Sequence, residues 1–558
     1  MRSALFLEAV GVDRAGQGPS RRSSRRSSRL RLAGASAFFL LVACAPVEEP
    51  ESSASEPGWR SALYPRDWRP GLRDDQGRGL HDFSYAGYRG GEEPPVVEGP
   101  RFDVTDLGAD PTGEADSTEA VQATIDQAEA AGGGVVYFPE GLYRLDEVLT
   151  VSASGVVLRG EGPTRSKLAF TRSHLMSDRA MITIGHRLEH GPHIALTLDA
   201  SDFDTQLRTA DAVALPVGTQ IAVGWEISPE FVEEHGMTDV WTRFAGTWRP
   251  FFRREVVGRD PSSGGITLDV PMRYSALRRD GASVRVETGH VYEVGIESLG
   301  LSTAVDWSEA WQSDRSHAVL LRGVVDGWVR DVSSFESPFA ENSRERHLQS
   351  GGIKVEASKR VTIADTDLRL AQNRGPGGNG YLFEVTTSSE ILIRDSVGVA
   401  GRHNFIQNWD FGTSGCVWLR VRSSEGRAIN ASNTSVGWLG ASEYHHSLAM
   451  ANLVDSSEID DAWYAVNRGT ASSGAGHTST ESAFWNLSGE GLIRSYQFGH
   501  GYVIGTRGVE TWVDFDKPDL LNEHQGTAPE DWLEGEGEGA ELYPQSLYED
   551  QRARRLGL

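Results

Sequence analysis

Cysteine is almost missing from this chain of 558 residues: only Cys44 and Cys416 are present, too few for a disulfide scaffold. Lysine is scarce as well, with four among the 54 basic residues. Glycine is plentiful at 63, yet it lacks the strict triplet repeat of collagen. No apolar run reaches the roughly 20 residues that cross a bilayer as a helix. Net positive charge is lacking too. The formal charge is −25, and residues 1–43 hold eight Arg against Glu8 and Asp13, net +6, which leaves −31 on the remainder. Such a body repels phosphate backbones, so no nucleic-acid partner is expected. With 39% hydrophobic and 24% charged residues the chain is too apolar to be disordered. It is long enough for several domains or for one long repetitive core.

What is present begins with an Arg-rich run from Arg21 to Arg31 and then an apolar stretch, Leu32 to Ala43, the length of a signal-peptide core. The stretch ends in Leu41-Val42-Ala43-Cys44, which resembles the cleavage box of bacterial lipoproteins. The resemblance implies a signal peptide at 1–43, lipidation at Cys44 and a place in the bacterial cell envelope, held to a membrane by lipid. An ordinary secretory signal with an incidental Cys is the alternative. The Ser/Glu/Pro-rich composition that follows reads as a flexible tether over 44–60. Cys416 is left without a partner and reads as a small buried hydrophobe.

Residues 101–160 carry the clearest local signals. Arg101 to Asp110 leads through a turn to Asp116-Ser117-Thr118-Glu119, a capping-box-like helix start. Val121, Ile125 and Ala128 recur at helical spacing, and Gly132-Gly133-Gly134 closes the helix. Strand phrases follow at Val135 to Pro139, Gly141 to Leu145 and Val156 to Gly160. A short helix before closely spaced short strands predicts a helical cap on a strand stack. The run from Phe102 to Gly162, with its GGGVVYFPEGLY and GVVLRGEG phrases, resembles the N-terminal cap of the pectate-lyase superfamily, which includes rhamnogalacturonase and epimerase-like proteins. Residues 61–100, with Leu63-Tyr64-Pro65 and His81-Asp82-Phe83, look like a leader found in some bacterial members. The resemblance implies an all-β, right-handed parallel β-helix. It leaves the reaction open, because the superfamily contains lyases, hydrolases, epimerases and phage spikes.

The second half repeats on its own account. Comparable strands begin at Val329, Val361, Ile391 and Val417, at intervals of 32, 30 and 26 residues. Each follows a strand-like partner such as Gly352 to Val355 or Tyr381 to Val385. Imperfect periods of this size, with Gly, Ser and Asn at the turns, predict the stacked coils of a parallel β-helix. The solenoid is placed at 101–512, with a β-rich insertion at about 198–288 where the pattern breaks. An acidic extension, 513–558, follows.

A β-helix offers a long groove along one sheet, suited to a linear polymer. A lyase there needs a cation for the uronate carboxylate, a base for the C5 proton and an acid for the leaving oxygen, roles that Arg, Lys, His and Tyr fill. A hydrolase needs two carboxylates. The densest cluster is Gly401 to Asp410, which supplies Arg402, His403 and Asp410 as catalytic candidates and Trp409 as a binding one. An internal ladder of Asn404, Gln407 and Asn408 is the structural alternative. Later coils add Asp461, Tyr464 and Arg468, with Asp460 beside them, and His446. His445 and His446 point to opposite faces of an extended strand, so no zinc site is expected. Arg374, on a tight loop, and His477, in a small-residue loop, complete the binding candidates. Trp241, Trp248, Phe251 and Phe252 either stack on sugar rings or form the core of the insertion. No cofactor is expected, and no Asp-rich cluster supports Ca2+. The expectation is a polysaccharide-degrading enzyme, first a polyuronide lyase acting by β-elimination. Second comes a glycoside hydrolase using Asp410 with Asp460 or Asp461, and third a non-catalytic carbohydrate-binding β-helix.

Overall fold

The computed structural model describes residues 58–177, 179–341, 346–436, 440–513 and 529–558. The expected signal peptide, the tether up to residue 57 and the lipidation site Cys44 lie outside the described residues. Helix α1, Thr118–Ala130, buries Val121, Ile125 and Ala128 as one stripe. Its N-terminal donor is met by Asp116, whose Oδ1 accepts from the Thr118 amide at 3.0 Å. Gly132, at φ 85°, supplies the left-handed turn that ends it. The stripe packs on Val104, Val136, Leu149 and Val156 in the main core, so α1 covers the open end of the stack.

From Arg101 onward the coils pair in parallel. One face is a ten-stranded parallel sheet of β1 (Leu149–Val151), β2 (Ala180–Gly185), β3 (His317–Arg322), β4 (Gly351–Glu356), β5 (Tyr381–Thr386), β6 (His403–Gln407), β7 (Ser442–Tyr444), β8 (Ala462–Ala465), β9 (Leu492–Ser495) and β10 (Glu510–Trp512). Most other coil strands join one continuous 18-stranded sheet that bends around the remaining sides. Strand Gly295–Ser302 shows how it bends: its first half pairs with Val156–Arg159 and its second half with Ser166–Phe170. Between the halves Ser298 sits at φ 54°, and Asp331, Asp365 and Asp395 take the same left-handed conformation at the equivalent corner of later coils. Short polar side chains tolerate that conformation at lower cost than others. Inside, Ile182, Val319, Ile353, Phe383 and Phe405 stack rung on rung, all at 0% exposure. The chain is an all-β, right-handed parallel β-helix. The repeat runs slightly out of step with the sequence reading, since Val329 faces Ile363 and not Val361.

An antiparallel seven-stranded sheet extends from Glu189 to Thr288, beginning nine residues before the expected insertion. Trp241, Phe251 and Phe252 are buried in its own core, with the Trp225 and Phe251 rings stacked at 3.7 Å. Of the two readings offered for them, those three take core packing; Trp248 is half-buried against His193. The leader lays Leu63, Tyr64, Trp68, Leu80 and Phe83 onto coil residues Leu392, Val417 and Leu453. The chain ends in a docked helix, Leu547–Leu556, with Tyr548 donating to the Ala86 carbonyl and Gln551 to that of His81, each at 2.8 Å. Among the described residues no helix is long and apolar enough to cross a membrane.

Candidate functional site

The outer face of β3 to β5, with residues flanking β6 and β7, floors a groove of about 740 Å³. Its wall carries six cations, Arg179, Arg187, Arg315, Arg322, Lys354 and Arg402, against the carboxylates Glu356, Glu384 and Asp410. Strand alternation places Arg322, Lys354, Glu356 and Glu384, and the segments between strands supply Arg179, Arg187, Arg315, Arg402 and Asp410. In β4, Ile353 and Val355 enter the core while Lys354 and Glu356 face the groove. Lys354 and Glu384 are partners on adjacent rungs, with Nζ 3.4 Å from Oε1. Glu384 also accepts from His317 Nε2 at 2.8 Å and Asn408 Nδ2 at 3.0 Å. Burial opposes its ionisation, yet Lys354 and the His317 hydrogen bond hold its carboxyl well below the usual range.

At the head of β5, Tyr381 faces the same groove. Its ring centre lies 5.0 Å from that of His403, 6.3 Å from that of His445 and 5.9 Å from the Arg402 guanidinium. Burial pushes the Tyr381 phenol up to about 12, so it is a proton donor at neutral pH. His445, also on the groove wall, hydrogen-bonds through Nδ1 to Glu443 Oε1. Burial works against the Glu443 carboxylate, but His445, Arg468 and His403 hold it well below its ordinary range. Burial pushes His445 down, and the Arg468 charge pushes it further. Its imidazole is thus neutral at pH 7 and oriented by an ionised carboxylate through Nδ1, while Nε2, the nitrogen a general base would use, has Arg468 Nη1 at 3.0 Å.

The sequence candidates divide into those the groove collects and those it does not. Arg402, Trp409 and Asp410 line it. Trp409 and Asp410 take left-handed conformations at φ 52° and 76°, strain of a kind that clusters at functional sites. Asp410 is bridged at 3.2 Å by Arg249, which reaches in from the insertion. His403 lies just behind, 2% exposed and pushed by burial to about 3, with Nδ1 donating to the Ala441 carbonyl at 2.5 Å. Arg468 lies against the His445 ring, with Nη1 2.8 Å from Nδ1 and 3.0 Å from Nε2, and donates to the His445 carbonyl at 3.3 Å.

Others are held elsewhere. Asp461 is consumed structurally: Oδ2 accepts from Asn404 at 2.9 Å, Ser423 at 3.0 Å and the Gly426 amide at 2.9 Å, and Oδ1 from the Ala462 amide at 2.8 Å. The expected pairing of Asp410 with Asp461 is therefore corrected. Asp460 lies 3.8 Å from Arg422 and accepts from the Glu490 amide at 3.3 Å. Tyr464 is the rung neighbour of Glu443 and lies 5.1 Å beneath the Arg494 guanidinium, off the groove lining. His446 spends both nitrogens on Ser447 Oγ and the Ser472 carbonyl, with the Trp409 ring 4.4 Å away. His477 bonds the His235 carbonyl at 3.1 Å against the insertion, away from the groove. Arg374 is buried and not part of the groove wall.

The sequence reading overlooked His317, Lys354, Tyr381, Glu384 and Glu443 as site residues. The available signal was a charged residue between apolar ones in successive coils, Ile353-Lys354-Val355 and Phe383-Glu384-Val385. His403, Glu443 and His445 each offer a ligand atom, all within 4.8 Å of one another. The Arg468 guanidinium, 2.8 Å from His445 Nδ1, already places a positive charge where a metal ion would add its own.

The family model described as rhamnogalacturonase A/epimerase, pectate lyase-like, matches residues 101–228. Among curated relatives, the mannuronan C5-epimerase AlgE3 of Azotobacter vinelandii is 34% identical over 108 residues, 18% of this chain and 6% of that protein. Alginate lyase 7 of the same organism is 52% identical over 44 residues, 8% of this chain and 5% of its own length. The chain thus spans a small fraction of these relatives. The tailspike gp61 of Pseudomonas phage phi297 superposes with a TM-score of 0.48 at 13% identity, covering 74% of this chain and 76% of that one.

Proposed function

We propose that the protein is an exported, lipid-anchored enzyme of the cell envelope that acts on a polyuronide by β-elimination. One observation carries the reading: six cations line a single groove in a chain whose net charge is −25. Salt screens distant acids over about 8 Å, so the local set governs what the groove attracts. In this reading Arg402 binds the uronate carboxylate and stabilises charge that develops when C5 loses its proton. Neutral His445, oriented by Glu443, takes that proton. Tyr381 gives its proton to O4 as the C4–O4 bond breaks, leaving a C4–C5 double bond in the product. Hydrolysis has less support because each groove carboxylate is already engaged: Glu356 by Arg322 at 2.6 Å, Glu384 by His317 and Lys354, Asp410 by Arg249. The lipid anchor rests on the Leu41 to Cys44 phrase.

Epimerisation is the second reading, favoured by relatives named as mannuronan C5-epimerases. It shares the first step, but the proton returns to C5 from the other face and O4 stays bonded. The test incubates the protein with polymannuronate, polyguluronate and polygalacturonate in D2O. Elimination gives unsaturated-product absorbance together with new reducing ends; epimerisation gives deuterium at C5 without new ends. Reducing ends without absorbance would overturn both. Arg402→Ala is expected to lower kcat/KM about 10²–10³-fold with the thermal midpoint little changed.

A further inference from the structure

Ser472 is exposed, lines the groove with His445 and takes no part in the elimination described above. Its Oγ lies 3.4 Å from His445 Nε2. His445 Nδ1 in turn bonds Glu443 Oε1, and because that carboxylate is ionised, Nδ1 carries the proton and Nε2 the lone pair. The three side chains run hydroxyl, imidazole, carboxylate, the order that activates a serine as a nucleophile. A hydroxyl-to-imidazole contact of this length is ordinary before substrate binds and tightens on binding.

Arg468 does not stand between them. Its Nη1 is 2.8 Å from Nδ1 and 3.0 Å from Nε2. Both ring nitrogens are bonded to Cε1, and a nitrogen so close to both in the imidazole plane would overlap that carbon. The guanidinium therefore lies over the ring face and leaves the in-plane lone pair of Nε2 to the Ser472 proton.

The loop that carries Ser472 is strained and held. Ser472 and Ser473 are both left-handed, at φ 51° and 67°, a conformation that glycine takes freely and serine does not. The same loop does use glycine at Gly474 and Gly476, where a Cβ would overlap the Val240 carbonyl and the Trp241 ring. Trp241 Nε1 donates to the Ala475 carbonyl at 3.1 Å, the Arg468 amide to the Gly476 carbonyl at 2.8 Å, and His446 Nε2 to the Ser472 carbonyl at 3.0 Å.

We propose that Ser472, His445 and Glu443 act as nucleophile, base and orienting carboxylate in a second activity, the hydrolysis of acyl esters carried on hydroxyls of an acidic polysaccharide. Ser472 Oγ bonds to the acyl carbon while its proton passes to His445 Nε2. That proton then goes to the sugar oxygen as the ester C–O bond breaks. Water attacks the acyl-serine, His445 takes one of its protons and returns it to Oγ, and the carboxylic acid leaves. Tyr381, whose ring centre is 6.3 Å from that of His445, and Arg402, whose charge acts on His445, are the groove donors at hand for the oxyanion. An acyl group on a hydroxyl leaves the uronate carboxylates free for the six cations of the groove, whereas a methyl ester would cancel the charge they attract. The acidic carrier rests on the polyuronide reading above; the nucleophile does not.

The test uses the full chain with Ser472→Ala and Ser472→Gly, the glycine variant keeping the left-handed backbone should alanine disturb the loop. With p-nitrophenyl acetate at neutral pH, the wild type is expected to release a burst of about one p-nitrophenolate per chain, and mass spectrometry should find the acetyl group on Ser472. Both variants should lose turnover by about 10³-fold or more. O-acetylated polymannuronate should release acetate faster than an O-acetylated neutral glucan. Variants that match the wild type, or a folded wild type with neither burst nor acetyl-Ser472, would overturn the nucleophile. Equal acetate release from the neutral glucan would overturn the acidic carrier. Acetate release by a wild type that eliminates no polyuronide would sink the elimination reading and leave the esterase standing; elimination without acetate release would do the reverse.

Discussion

Residue by residue, what each polar group is bonded to separates those that line the groove from those that hold coils together. Tyr381 and Asp461 illustrate the two outcomes. Tyr381 is a groove phenol held protonated by burial, and Tyr381→Phe is expected to lower kcat about 10²–10³-fold with KM within a few-fold, read by initial rates on the polymer that the wild type accepts. Asp461 takes four hydrogen bonds inside a turn. Asp461→Ala leaves those donors unmet and should cost about 3 kcal/mol in urea unfolding, while turnover at low temperature stays near the wild type. Large loss of activity with unchanged stability would return Asp461 to the catalytic candidates. Arg402, Trp409 and Asp410 were legible as a dense cluster of functional residue types. Lys354 and Glu384 were hidden because each is one polar letter in an apolar strand, and only stacking makes them neighbours.

Elements are set by two local devices, alternation along strands and left-handed corners between them. Ile353, Phe383 and Phe405 interlock inward while Lys354 and Glu384 are presented outward. The corners are carried by Ser298, Asp331, Asp365 and Asp395, all at positive φ. Asp365 is exposed, so its conformation rather than its burial defines its contribution. Asp365→Val should destabilise by about 1–2 kcal/mol through the Cβ-branched clash, whereas Asp365→Gly should be close to neutral, both read from urea midpoints. Equal effects of the two would mean that the corner is not the constraint. The short helix over 118–130 was legible from its spacing and its glycine stop. The offset of two residues at Val361 was not, because neighbouring rungs repeat the same apolar types and only pairing fixes the register.

Across the whole molecule, buried histidines couple stability to pH. Burial pushes His403 and His446 to about 3, and His235, His290 and His477 to about 4. An unfolded His titrates near 6.5. Between pH 6.5 and 4 the unfolded chain therefore binds more protons at these five sites, and stability falls as pH falls. Asp455 and Asp531 act in the opposite sense, since burial raises both to about 7 and the folded chain holds protons there that the unfolded chain releases above about 4. Five sites outweigh two. The thermal midpoint is expected to drop by about 5 °C or more from pH 6.5 to 5, measured by calorimetry at constant ionic strength. A flat or rising midpoint would mean that these histidines carry charge in the folded chain.

By itself the sequence determined the coil architecture and its cap, because periodicity, helix spacing and turn residues act over a few positions and leave a readable trace. It also determined that the chain bears far more acid than base. Only the tertiary structure decided where the positive charge gathers, that Asp461 is spent on a turn and that Arg374 is buried off the groove wall. Those outcomes depend on which residues of coils 20 to 40 positions apart share a rung, and in a solenoid that register is settled by the stacking of whole coils rather than by any local run of residues.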